Sequence, residues 1–105
     1  MAQTQGNAGP ASLLKSGSNW LDSNAQFVSR DLELAAAAKM VWAITRKLRG
    51  AQGERNLSTS SLSIKANLRR QTVAQALMGE VWPDIQTLTK LCSTLGLELN
   101  LIEKV

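Results

Sequence analysis

Arg69, Arg70, Gln71, Thr72 and Gln75 stand close together in a helix-forming stretch, and their side chains suit one kind of chemistry. An arginine can fork onto the acceptors of guanine, and a glutamine can bond adenine in the same two-point manner, if a helix carries them into the major groove of a duplex. Other chemistries find little material. The chain has no histidine and one cysteine, Cys92, and its carboxylates are scattered without pairing. No nucleophile–base set and no metal site can be assembled from these, so an enzyme is not expected, nor any cofactor.

The charge pattern points to a polyanion. Net charge is +4 over 105 residues, yet residues 39–70 alone carry +7, against −1 for residues 1–38 and −2 for residues 71–105. Lys39, Arg46, Lys47, Arg49, Arg55, Lys65, Arg69 and Arg70 face only Glu54 in that middle stretch. Such a block fits nucleic acid as partner, although Arg46, Lys47 and Arg49 also fit an exposed, solvated helix face. Leu32 to Ile44 is the longest apolar stretch and is broken by Glu33 and Lys39, well short of the roughly 20 residues that cross a bilayer. No membrane span is expected. The first 25 residues carry only Lys15 as a base and lack a continuous apolar core, unlike a secretory signal. A lone cysteine fits a reducing compartment, so the expected location is the cytoplasm.

The elements that must position these side chains are read from caps and periodicity. Residues 1–26 are rich in Gln, Asn, Ser and Gly, with Leu13, Leu14, Trp20 and Leu21 as the apolar exceptions, and read as a flexible arm. A domain is expected over residues 27–96. Its first helix takes Ser29 as N-cap, has Asp31 and Glu33 in its first turn and ends near Gly50 and Gly53. Leu34, Ala37, Ala38, Val41, Ile44, Thr45 and Leu48 form its apolar stripe, leaving Trp42 as a core or an interface residue. Ser58 caps a second helix to about Ala66, with Leu62 and Ala66 inward, and Asn67 turns the chain in a left-handed conformation. A third helix runs from about Arg70 to Met78 and stops at Gly79. Pro83 and Asp84 start a fourth, with Ile85, Leu88, Leu91, Cys92 and Leu95 on one face and Gly96 at its end.

Beyond Gly96 the period changes. Leu97, Leu99 and Leu101 alternate with Glu98 and Asn100, which is the pattern of a strand over residues 97–105. A lone strand leaves its backbone groups unpaired, and the rest of the chain offers no convincing partner. Pairing with the same strand of a second subunit answers this, and a small core makes such an association useful. The expected fold is therefore mainly α, a small helix-turn-helix domain of four to five helices with a C-terminal β-strand pairing across a dimer.

From Leu57 to Leu95 the order of signals is a Leu-Ser helix start, Leu62 with small Ser63, the turn at Asn67, the Thr72–Val73 pair, Gly79, Pro83, and then Leu88, Leu91, Leu95 and Gly96. This order resembles the lambda-repressor-like, or XRE, helix-turn-helix family over roughly residues 40–96. The resemblance implies that Arg70, Gln71 and Gln75 contact bases from the recognition helix. Arg69 and Thr72, together with Ser58, Thr59 and Ser60, would then hold phosphates, with Lys65 as a further DNA-binding residue, while Ser58 to Ser61 also fit plain capping. Asn67 replaces a common glycine; Ala76 stands where a larger aliphatic is usual and Leu77 where glutamate often sits, which would rotate the apolar face. Trp82 is placed to cover the core end or to pack on DNA sugars. Leu95 to Lys104 is also similar to antitoxins of the HipB type, whose terminal strand pairs across a dimer.

The function these residues imply is a sequence-specific, homodimeric regulator, a repressor of its own or a neighbouring promoter, on a palindromic double-stranded operator. A second reading is an antitoxin-type module that holds a toxin through the N-terminal arm and first helix, with Leu13, Leu14, Trp20, Leu21 and Phe27 as exposed anchors.

Overall fold

Start and stop signals divide the chain into four α-helices. The computed structural model describes residues 8–103, and within them lie a short 3-10 helix at Pro10–Leu13, then α1 (Leu32–Glu54), α2 (Thr59–Ala66), α3 (Arg70–Leu77) and α4 (Ile85–Thr94). Asp31, Ser58 and Asp84 each accept hydrogen bonds from first-turn amides of α1, α2 and α4. The other ends share a device. Asn56, Asn67, Gly79 and Gly96 all have φ between 52° and 72°, and the amide after each donates to the carbonyl five residues back: Leu57 to Gln52, Leu68 to Ser63, Glu80 to Gln75, Leu97 to Cys92. Each helix thus closes in a Schellman turn, which satisfies its last carbonyls and redirects the chain sharply.

These signals correct three readings of α1. Its cap is Asp31, because Ser29 Oγ instead accepts from the Asp31 amide, one turn before it could serve the helix. Gly50 and Gly53 do not end it. They lie inside the last turns with open space beside them, and the left-handed residue that stops the helix is Asn56. The buried face is Ala38, Trp42, Thr45, Leu48 and Ala51, so Leu34 and Ala37 fall off it and Trp42 belongs to the core.

Two apolar clusters meet along α1. Leu48, Ala51, Leu62, Val73, Leu77, Leu88, Leu91 and Leu95 form the larger one, to which all four helices contribute. Burial of each large aliphatic there is worth about 1.5–3 kcal/mol. Ile85, placed on the inner face of α4 by its spacing, is 70% exposed: it opens the helix, and the buried face begins only at Thr87 and Leu88. Asp84 caps that turn with its carboxylate 2.7 Å from the Thr87 amide, and this bond, seconded by the Thr87 hydroxyl, holds its pKa below the ordinary 3.8. A depressed carboxylate contributes stability above its unfolded pKa and loses it as pH falls through the folded one. Asp84→Asn, which keeps the cap but cannot titrate, is expected to flatten the acid limb of a melting-temperature-against-pH curve.

The smaller cluster is made by the segment read as an arm. Trp20 and Ala25 are buried against Trp42, with Leu14 and Phe27 packed around them. Phe27 meets Trp20 edge to face at 5.8 Å and 83°. Leu14 and Phe27 form an isolated antiparallel bridge, flanked by Lys15 N donating to Gln26 O and Val28 N to Leu13 O. Residues 8–26 are therefore part of the domain, and of the supposed anchors only Leu21 is largely exposed. Residues 1–7 of the expected arm and 104–105 of the expected strand lie outside the described residues. From Leu97 to Glu103 the single chain forms no strand. No helix among the described residues is long and apolar enough to cross a membrane.

Candidate nucleic-acid interface

The turn between α2 and α3 sets what α3 presents. Asn67 sits at φ 57°, ψ 51°, its amide donates to Ile64 O and Leu68 N to Ser63 O, and Leu68 then packs against the core. Asparagine tolerates this conformation at a modest penalty, so the replacement for glycine does not disturb the turn. The two helices pack on each other directly after it. Val73, Ala76 and Leu77 are buried, which fixes the roll of α3 about its axis. The small Ala76 and the apolar Leu77 both go inward, so the Ala76–Leu77 pair fills the core side and leaves the polar side facing out.

That roll leaves Arg70 and Gln71 exposed and Thr72 and Gln75 half-buried. Arg69 precedes them as the N-cap, exposed, with no side-chain oxygen on the first-turn amides. Among the four α-helices this is the one start without a side-chain cap. Lys65 is exposed in the last turn of α2, just ahead of the turn. Arg69, Arg70, Gln71 and Lys65 thus share one end of the α2–α3 pair, with the positive pole of the α3 dipole behind them.

The hydroxyls at the start of α2 divide. Ser58 Oγ accepts from Ser61 N at 3.0 Å and is 3.1 Å from Ser61 Oγ, so capping occupies it. Thr59 is half-buried and accepts from Gln52 Nε2 at 3.5 Å. Ser60 is exposed and lends its carbonyl to Ser63 Oγ at 2.7 Å.

The basic run of α1 is not all free charge. Arg46 lies over the Trp42 ring with its guanidinium carbon 5.6 Å from the centroid, and donates to Asp22 O at 3.4 Å. Arg49 turns inward and donates through Nη1 to Leu77 O at 2.8 Å. Burial, with Arg46 nearby, lowers its pKa. The same Leu77 carbonyl accepts from Trp20 Nε1 at 2.9 Å. This two-donor contact at the C-terminal end of α3 has no signature in the sequence: Trp20 lies 57 positions from Leu77, and Arg49 reads there as one more surface cation.

Trp82 is 38% exposed. Cys92 is buried, and desolvation raises its thiol pKa. No group of three or more His, Cys, Asp or Glu that could hold a metal occurs among the described residues. No protein-family model, curated protein or solved structure matches the chain.

Proposed function

We propose that the protein binds double-stranded DNA with sequence preference and acts as a homodimeric regulator, a repressor at its own or a neighbouring promoter. The observation that carries this is the exposed Arg70–Gln71 end of α3, held by a buried Val73–Ala76–Leu77 face and flanked by Arg69 and Lys65. In a major groove, Arg70, Gln71 and Gln75 read base edges, while Arg69, Thr72, Ser60, Lys65 and the open first-turn amides of α3 hold phosphates. Ser58 and Thr59 contribute mainly by shaping the start of α2.

The dimer follows from the tail. Leu97, Leu99 and Leu101 all stay at least one-third exposed in the single chain, where residues 97–103 form no strand. Antiparallel pairing with the same segment of a second copy covers them and sets two α3 helices side by side for a palindromic operator. The cytoplasm suits this role and keeps the thiol of Cys92 reduced.

Phosphate contacts release counterions, so binding should weaken steeply with salt. Gel shifts over a salt series are expected to give a linear fall of log affinity with log salt, and Lys65→Ala is expected to reduce that slope by about 1 while weakening all duplexes alike. Binding that ignores salt would sink the proposal.

A second reading, a module that holds a partner protein such as a toxin, draws on a different observation. Leu32, Ala36, Met40 and Ala43 are exposed along one side of α1, with Leu32 at 80% and Met40 at 65%. The arm half of that reading is weaker, since Trp20 and Ala25 face inward. A stoichiometric partner that co-purifies with the native protein and is lost in a Leu32→Glu/Met40→Glu variant would favour it.

A further inference from the structure

Helix α3 has 8 residues, too short to keep its shape or direction unaided. Its core face fixes its roll, but its tilt depends on what grips its ends. The N-terminal end is free of side-chain caps. The C-terminal end is gripped from outside: Trp20 Nε1 and Arg49 Nη1 both donate to Leu77 O, at 2.9 and 2.8 Å, and Ala11 N donates to Gly79 O at 2.9 Å. The indole also lies on Gly79, where a methyl group would come within 2.7 Å of the ring. Gly9 lies closer still to the Glu80–Val81 backbone, which leaves no room there for a side chain. The grip is tied down in turn, because Trp42 Nε1 donates to Trp20 O at 2.9 Å and Phe27 stacks edgewise on both indoles.

We propose that residues 9–28 form a clasp that sets the orientation of α3, with Trp20 and Arg49 as positioning residues for the base-reading end. This role in base reading rests on the function proposed above; the mechanical role does not. A helix of this length is about 12 Å long, so a tilt of about 5° about the held end moves the free end by about 1 Å. Base-edge hydrogen bonds tolerate a spread of roughly 0.5 Å. Long cations reaching phosphates adapt to that shift, whereas Arg70 and Gln71 on base edges do not. Loosening the clasp should cost discrimination and spare general affinity.

Trp20→Phe tests this in the full chain, since it keeps a ring over Gly79, removes the donor and changes no charge. Phe27→Leu serves as a milder variant of the same kind, because it keeps both donors on Leu77 O and removes only the ring that braces the two indoles. Amide hydrogen exchange is measured in α3 and, for reference, in α4. Affinity is measured for a duplex that the wild type enriches from a random pool and for a shuffled duplex of equal length. For Trp20→Phe, exchange in α3 is expected to speed up about fivefold relative to α4, as for one lost hydrogen bond, and the affinity ratio to fall by a similar factor. Shuffled-duplex affinity should hold. Phe27→Leu should speed α3 relative to α4 and lower the ratio in the same direction, by less than Trp20→Phe. If Trp20→Phe leaves α3 exchange unchanged, or speeds α3 and α4 together, the clasp is overturned. An unchanged ratio, with a wild type that discriminates, overturns the positioning role. Should the wild type enrich no duplex, the DNA reading fails and the exchange comparison alone decides the clasp.

Discussion

Gly79→Ala is expected to lower the unfolding free energy by about 2–5 kcal/mol. Two costs combine. Gly79 has φ +72°, and an L residue held in that region gives up about 1–2 kcal/mol. Its new Cβ would also stand 2.7 Å from the Trp20 ring, which cannot move away because Leu77 O and the Trp42 indole fix it at both ends. Overpacking of that kind costs about 1–3 kcal/mol. Urea denaturation measures the sum, and indole fluorescence reports whether Trp20 is displaced. Gly53→Ala makes the opposite case. That glycine is inside α1 with open space around it, so alanine should raise stability by about 0.5–1 kcal/mol through helix propensity. A neutral Gly79→Ala would show that Trp20 does not rest on the end of α3.

Arg70→Ala and Gln71→Ala are each expected to reduce the preference for a selected duplex by about 1–3 kcal/mol, the usual worth of a two-point contact to one base. Both side chains are exposed and neither caps nor packs, so melting temperatures should stay near wild type. Their effects should differ in kind from that of Lys65→Ala. Loss of a base contact relaxes the sequence preference at one position, whereas loss of a phosphate contact weakens every duplex and flattens the salt dependence. Competition binding against single-base variants of the selected duplex separates the two. If Arg70→Ala weakens all duplexes equally, Arg70 holds a phosphate and the base-reading assignment moves along α3 to Gln71 and Gln75.

The helices and the turn between α2 and α3 were legible because their information is local. Ser58, Asn67, Gly79, Asp84 and Gly96 act on backbone within a few residues of themselves, and each performs in the structure the role that its chemistry implies. Asn56 carries the same signal for α1 as Asn67 does for α2, but Gly50 and Gly53 nearby drew the boundary inward. The inner face of α1 was harder to read because α1 packs against two different neighbours, the Trp20 cluster and the main core, so its buried residues do not follow one straight stripe. The folded arm was not legible at all. Its polar composition matches a loose terminus, and what anchors it is a pair of indole N–H groups bonding carbonyls far away in sequence. Periodicity cannot report such contacts, and charge counting misread Arg49 for the same reason.

Selection of bound duplexes from a random pool by the wild-type protein tests the DNA-reading role of α3 most directly. The expected result is a single enriched motif with two-fold symmetry, its half-sites separated by about 10–10.5 base pairs so that both α3 helices enter one face of the duplex. A pool that returns no enriched sequence would contradict that role. A motif without symmetry would keep α3 as the reader and remove the dimer built on Leu97, Leu99 and Leu101.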